Sequence, residues 1–135
     1  MANKQVKRVA IVGSARIPFC RAYSGYMHET NLSMMSGALG GLVEKYGLKG
    51  QHVDEVMGGV VLNHSRDFNI AREAALNAGL APTTPGTTVQ IACGTSLQAA
   101  LMIGAKIANG EIESGIACGS DSVSDSPIVF GPKFS

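Results

Sequence analysis

The chain has 135 residues, enough for one domain with a sizeable buried core. Hydrophobic residues make up 45%, charged residues 16% and the net charge is +1, which excludes a disordered chain and gives nucleic-acid binding little support. Apolar runs are short, so we expect no transmembrane helix, and the run after the basic opening is too short for a signal-peptide core. Three cysteines without metal-binding spacing suit a reducing compartment, and we expect a cytoplasmic protein.

The first 50 residues contain one predicted strand and one predicted helix. The continuous apolar run at Lys7–Gly13 is typical of a strand buried in a parallel sheet. Apolar residues at helical spacing predict a helix over Asn31–Tyr46, ended by Gly47. Three glycines lie inside this helix: Gly37, Gly40 and Gly41. They indicate either a second backbone packed very close or a weak helix held by its surroundings.

Strands and helices alternate through the rest of the chain. Strands are predicted at Val56–Leu62, Thr87–Ala92 and Gly115–Gly119, and a short helix at Ile70–Ala78. A longer helix at Thr95–Asn109 is apolar nearly all round, which predicts burial on several sides. Alternating strands and helices predict an α/β layered fold with a largely parallel core sheet.

Cys93 is the candidate nucleophile. It follows a predicted strand, and Gly94 separates it from the helix that begins at Thr95. Unpaired N–H groups and the dipole at a helix start favour the thiolate, which is the reactive form of cysteine. Gly94 has no side chain, so a reacting carbonyl can approach the backbone closely. On spacing alone, the alternative is a free cysteine that acts as a small buried hydrophobe.

The last nine residues, 127–135, are apolar and have no pattern that closes a helix or a strand. Their bulky side chains include Phe130 and Phe134. Such a tail indicates a chain cut short, and the alternative is a tail docked on its own domain.

The run Gln90–Ala100, which contains Cys93, resembles the nucleophile motif of thiolases. Other segments resemble thiolase segments in the same order, with isoleucine replacing threonine in the first of them: Ala15–Phe19, Val53–Val60, Asn69–Leu80 and Cys118–Ser124. The forms of His64–Asn69 and Ser124–Pro127 are most similar to the branch that contains the β-subunits of fatty-acid oxidation complexes. The resemblance therefore covers nearly the whole chain.

The resemblance implies a layered α/β thiolase-like fold, with a largely parallel mixed sheet and helices on both faces, and residues 1–135 as an incomplete N-terminal half. It implies an acyltransferase in which Cys93 attacks a 3-ketoacyl-CoA, holds the acyl group and passes it to CoA, or runs in reverse to condense two acetyl-CoA molecules. The Cys93 backbone N–H is the implied oxyanion donor. No cofactor or metal is expected, since CoA is a co-substrate. The implied partners are acyl-CoA, a further copy in a homodimer or tetramer, and an α-subunit of a fatty-acid oxidation complex.

Thiolases also use motifs that this sequence does not contain. The family has a Gly-His-Pro histidine that activates the nucleophile and a second cysteine, in Cys-x-Gly-Gly, that moves the proton; neither motif occurs here. We expect the chain alone not to turn over, because catalytic groups that act as a unit lose most of their activity when one of them is missing. Neither Cys20 nor Cys118 replaces the missing cysteine: Cys118 is expected in the core, and Cys20 in a loop without a recognisable partner.

Three further residues match thiolase positions and have structural alternatives. Arg16 and Arg72 are interpreted as ion-pair or surface residues, and His64 either faces the site or is simply hydrogen-bonded or exposed. No G-x-G-x-x-G motif occurs, so NAD binding is not expected. The alternative functions are a ketoacyl synthase-like condensing enzyme, which shares the cysteine at a helix start, and a noncatalytic truncated chain that acts as an association module.

Overall fold

A computed structural model describes residues 6–132; residues 1–5 and 133–135, including Phe134 of the apolar tail, lie outside the described residues. The elements are helices α1 (Asn31–Lys45), α2 (Ile70–Asn77) and α3 (Thr95–Asn109), strands β1 (Val56–Gly59), β2 (Gly86–Thr88) and β3 (Ile116–Gly119), and a final 3-10 turn (Val123–Asp125). Among these residues, no helix is long and apolar enough to cross a membrane.

The strands form one parallel sheet in the order β2–β1–β3. Val56 of β1 lies opposite Gly86 of β2 and Ile116 of β3. The predicted parallel α/β core is confirmed, and every strand pair within residues 6–132 is parallel rather than mixed. Because all the strands run the same way, their carboxyl ends meet at one edge, and the segments that follow them lie there together.

Helices cover both faces of the sheet, as predicted. Successive strand side chains point to opposite faces, so Val56 packs in the core shared with α1 and α2, while Met57 packs with Ala99 and Ile103 of α3. Val56 and Met57 are at most 1% exposed. Full burial of one such side chain stabilises the fold by about 1.5–3 kcal/mol, so β1 is the centre of the domain.

Local signals set the helix ends close to their predicted positions. Thr30 caps α1 through a reciprocal pair of hydrogen bonds with Ser33, and Gly47, just beyond its end, has φ +64°. Gly110 ends α3 with φ +74°. Inside α1, a Cβ on Gly37, Gly40 or Gly41 would meet no atom within 4 Å. Within the described chain, no second backbone therefore packs close to these glycines.

The prediction of a strand at Lys7–Gly13 is wrong. This run is irregular, Ile11 is 94% exposed and Val12 87%, and the Lys7 N–H donates to the Ala108 carbonyl of α3. A continuous apolar run reports that its side chains favour burial, but a strand also needs a neighbour that supplies hydrogen bonds. Within residues 6–132 the sheet has three strands, and this run pairs with none of them.

The predicted burial of α3 on several sides is also wrong for the described chain. Ala99 and Ile103 face the sheet, but Leu97 is 67% exposed and Leu101 61%, because only one face of the helix meets β1 and β3.

The apolar tail is exposed as well. Residues 128–130 are at least 78% exposed, so the alternative of a docked tail is wrong over this stretch.

Of the other three predicted strands, Gly115–Gly119 matches β3 and two end early. β1 ends at Gly59 rather than Leu62, and β2 ends at Thr88 rather than Ala92. The Val89 N–H still donates to the Gly58 carbonyl, at 2.9 Å, but the chain then turns towards α3. Past the strand ends, Val60 and Val89 pack against the cores on the two faces of the sheet, while Val61 and Leu62 line an open groove.

Candidate active site

An open groove of about 650 Å³ lies at the carboxyl edge of the sheet, and Cys93 is part of its wall. The rest of the wall comes from residues at four places in the chain: the loop at 15–22 with Tyr26, Met34 and Ala38 of α1, Val61 and Leu62 beyond β1, and residues 119–124 at and after the end of β3. Cys93 is exposed and is not in a disulfide. The structure therefore places the predicted nucleophile on an accessible concave surface, not in the hydrophobic core. We call this surface the Cys93 groove.

A tight turn presents Cys93. Ala92 has φ +52°, a left-handed conformation that costs a residue with a Cβ about 1–2 kcal/mol. The next two amides fold back, since Gly94 N–H donates to the Ile91 carbonyl (3.3 Å) and Thr95 N–H to the Ala92 carbonyl (3.2 Å). Cys93 itself makes no hydrogen bond, through its N–H or its thiol, to any of residues 6–132. Its N–H is thus a free donor beside its own thiol, as an oxyanion donor must be.

Glycines at the strand ends allow this turn to lie directly on the sheet. A Cβ on Gly59 would overlap the Val89 carbonyl oxygen and lie 3.1 Å from the Thr95 methyl group. A Cβ on Gly119 would lie 2.9 Å from the Ser96 Cβ. Only glycine permits these approaches. The close packing of α3 on β1 and β3 therefore depends on Gly59 and Gly119, which the strand pattern of the sequence does not distinguish from other strand residues.

Two carboxylates anchor the segment that follows β3. Asp121 accepts hydrogen bonds from the N–H groups of Val61 (3.0 Å) and Leu62 (3.3 Å), beyond the end of β1. Asp125 accepts from the first N–H of α1, that of Asn31, at 3.0 Å, where the helix dipole favours negative charge. These bonds fix one wall of the Cys93 groove to both β1 and α1.

His64 is hydrogen-bonded within the fold and does not line the Cys93 groove. Its Nε2 lies 2.5 Å from the Asp125 carbonyl oxygen, so Nε2 carries the proton and donates. Arg66 lies beside it, with Nη2 2.5 Å from the Asp125 carboxylate. The interpretation of His64 as a hydrogen-bonded histidine is therefore confirmed. His28 and His52 are absent from the groove wall as well.

The other cysteines differ from Cys93 in their surroundings. Burial raises the pKa of the Cys118 thiol to about 11, in agreement with its predicted place in the core. The sequence names no partner for Cys20, and the structure supplies one, since its Sγ lies 3.2 Å from the Ser24 hydroxyl. That hydrogen bond is the main cause that lowers the pKa of Cys20, and the residue shares the Cys93 groove. Cys20 and Ser24 are four residues apart in one loop, and this spacing was the signal in the sequence for their contact.

The two arginines of the predicted motifs are structural or surface groups, as interpreted. The Arg72 guanidinium donates to the carbonyls of Thr84 (2.9 Å) and Pro82 (2.7 Å) and so holds the loop before β2. Asn69 caps α2 and donates to the Gly86 carbonyl at 2.9 Å. Arg16 is exposed and lies 4.9 Å from the centre of the Phe19 ring, at the groove.

Two contributors to the site were missed from sequence. Asp121 and Thr95 both hold backbone near Cys93, yet neither residue type at its position indicates this contact. No group of three or more metal-ligating side chains occurs within residues 6–132. The groove thus offers a thiol and a backbone donor, without an imidazole from the described chain.

The comparisons with known proteins agree with this arrangement. The family model described as "Thiolase, N-terminal domain" matches residues 9–134. The chain belongs to the thiolase family. A 3-ketoacyl-CoA thiolase from Photorhabdus laumondii is 36% identical over 93% of this chain and 29% of its own length. The mitochondrial trifunctional enzyme subunit beta of Mus musculus is 34% identical over 95% of this chain and 27% of its own length.

Solved structures confirm the thiolase-like fold. The crystal structure of the Bacillus anthracis acetyl-CoA acetyltransferase superposes with a TM-score of 0.89 and 28% sequence identity, over 96% of this chain and 33% of that one. The thiolase resemblance seen in the motifs is thereby confirmed over nearly the whole chain. The chain spans less than a third of the length of the relatives it matches in sequence. Membership of the thiolase family also favours a thiolase over a ketoacyl synthase.

Proposed function

We propose that Cys93 is the acyl-accepting nucleophile of a thiolase-type acyltransferase. The observation that carries the proposal is the turn at the strand edge, where an exposed thiol lies beside its own unused N–H. Attack of the thiolate on the ketone carbon of a 3-ketoacyl-CoA forms the C–S bond and moves an electron pair onto the oxygen, which the Cys93 N–H stabilises. Cleavage of the C–C bond then leaves an acyl-cysteine and releases acetyl-CoA once its carbon has taken up a proton.

Free CoA completes the reaction by taking the acyl group from Cys93, so CoA is a co-substrate and no resident cofactor is proposed. The proton steps need a base within reach of the thiol. Within residues 6–132 the groove wall includes no histidine, and Cys118 is held protonated by its raised pKa. We therefore propose that the 135-residue chain does not turn over by itself, and that the histidine and second cysteine of the family motifs complete the site in a full-length thiolase.

Alkylation tests the nucleophile. We expect iodoacetamide near neutral pH, with peptide mapping, to modify Cys93 faster than Cys20, and Cys118 slowest of all because its thiol is buried. Cys20 is a demanding reference, since its own pKa is lowered by Ser24. A Cys93 rate at or below the Cys20 rate contradicts the activated nucleophile.

Thiolysis of acetoacetyl-CoA tests the claim that the chain is incomplete as a catalyst. The purified chain is expected to match the buffer rate, with Cys93→Ser as the matched control. Robust turnover that disappears in Cys93→Ser overturns the claim, because it requires a base within this chain.

The remaining expectations are proposals as well. Free cysteines support a reducing, cytoplasmic location. A noncatalytic association module is the second candidate function, supported by the exposed Leu97 and Leu101 on α3 and the exposed tail. Its partner is a further copy in a homodimer or tetramer, or an α-subunit. Sedimentation of the purified chain tests self-association, and a concentration-independent monomer contradicts it.

A further inference from the structure

The Thr95 side chain closes the turn that carries Cys93. Its hydroxyl oxygen accepts a hydrogen bond from the Ile91 N–H at 3.0 Å and donates one to the Ala92 carbonyl at 2.8 Å. Thr95 is only 4% exposed, so water competes little for these groups. One hydroxyl therefore holds the backbone on both sides of the Ile91–Ala92 peptide.

The methyl group of Thr95 fixes where that hydroxyl lies. It packs in the space that Gly59 leaves open, since a Cβ on Gly59 would lie 3.1 Å from the Thr95 Cγ2. A β-branched side chain has few χ1 rotamers, and contact with a strand end restricts them further. The hydroxyl is thus pre-oriented by packing against β1 before it contacts the turn.

The turn needs such support. Ala92 holds φ +52°, and a residue with a Cβ persists in this conformation only where its surroundings over-determine it. The Ala92 carbonyl also accepts the Thr95 N–H, at 3.2 Å, so backbone and side chain of Thr95 bind the same oxygen. With the N–H groups of Ile91, Gly94 and Thr95 all committed, that of Cys93 is left unused.

We infer that Thr95 is a positioning residue for the nucleophile: its hydroxyl holds the Ile91–Gly94 turn in the form that leaves the Cys93 N–H free beside the thiol. This rests on the proposed function of Cys93. The Thr95 hydroxyl bonds to backbone groups of Ile91 and Ala92, so Thr95 acts through the backbone of the turn.

The test compares Thr95→Val, which keeps the shape and removes the hydroxyl, with Thr95→Ser, which keeps the hydroxyl. Loss of a buried hydrogen-bonding group is expected to slow iodoacetamide alkylation of Cys93 about tenfold in Thr95→Val. Thr95→Ser is expected to stay within about threefold of the parent. The Cys20 rate, measured in the same digest, is expected to be unchanged. Equal Cys93 rates in both variants and the parent overturn the inference, as does a Thr95→Ser variant as slow as Thr95→Val.

Hydrogen exchange of the parent chain keeps the inference testable if Thr95→Val fails to fold. The Ile91 amide is expected to exchange more slowly than the Cys93 amide, and an Ile91 amide that exchanges as fast overturns the inference. These outcomes differ from failure of the proposed function. In that case Cys93 reacts no faster than Cys20 in the parent, whereas Ile91 protection and the contrast between valine and serine still report on Thr95.

Discussion

Substitution of Gly59 by alanine tests the seating of the nucleophile turn on the sheet. The added Cβ would overlap the Val89 carbonyl oxygen, and ordinary contact requires the backbone to separate by about an ångström. The obstacle is backbone on both sides, so no flexible side chain can move away. Val89 lies four residues before Cys93, so the displacement is carried into the turn.

The magnitude follows from the nature of the clash. Forcing an extra methyl group into a packed site costs about 1–3 kcal/mol, and backbone resistance places Gly59→Ala near the upper end. For a domain of this size, about 3 kcal/mol corresponds to a melting temperature lower by roughly 10 °C. We also expect slower alkylation of Cys93, since the turn shifts with Val89.

Gly41→Ala is the matched control. Gly41 is an exposed position inside α1, and its added Cβ meets no atom within 4 Å. Alanine is favoured over glycine inside a helix by about 1 kcal/mol, so this variant is expected to melt roughly 3–4 °C higher. Thermal denaturation followed by circular dichroism measures both variants. A Gly59→Ala domain that melts at or above the parent temperature would refute the close contact of β1 with Val89.

Three further predictions concern buried and titrating groups. Lys106→Met is expected to destabilise the domain by about 3 kcal/mol at neutral pH, measured by urea unfolding, because Glu55 is 5% exposed and loses its charged partner. The loss is expected to shrink on acidification as Glu55 becomes protonated, and a loss that stays constant as the pH falls would contradict this. In the parent, burial opposes ionisation of Glu55, but hydrogen bonds from Lys106 and Thr87 outweigh burial and lower the pKa of Glu55. The pKa of Asp54 is lowered chiefly by hydrogen bonds from two backbone N–H groups. Both carboxylates therefore add stability above the unfolded pKa of about 4, and we expect that stability to disappear as the pH falls below it; a melting temperature that rises on acidification contradicts the assignment. Cys118 is expected to resist alkylation at pH 8 and to react fully in denaturant, and native labelling at the denatured rate would contradict its burial.

Helix positions and a candidate nucleophile could be read from the sequence alone. Helix α3 starts just after Gly94 and ends at Gly110, whose φ of +74° is a left-handed conformation that stops a helix. The motif around Cys93 placed the thiol at the start of that helix, and the thiolase family match agrees with it. These features depend on neighbours within a few residues, so they can be predicted without knowledge of the fold.

Tertiary structure alone decided which apolar segments are buried and how the thiol is held. The run at 7–13 reads as a strand, yet within the described residues it pairs with none of the three strands, and its apolar side chains are exposed. Thr95 reads as an ordinary first residue of a helix, but its hydroxyl bridges two backbone groups of the preceding turn. The sequence by itself determined helix ends, strand candidates and the candidate nucleophile, because those follow from local chemistry. Strand pairing, burial and the packing of Thr95 against Gly59 depend on groups distant in the chain, and only the packed sheet brings those together.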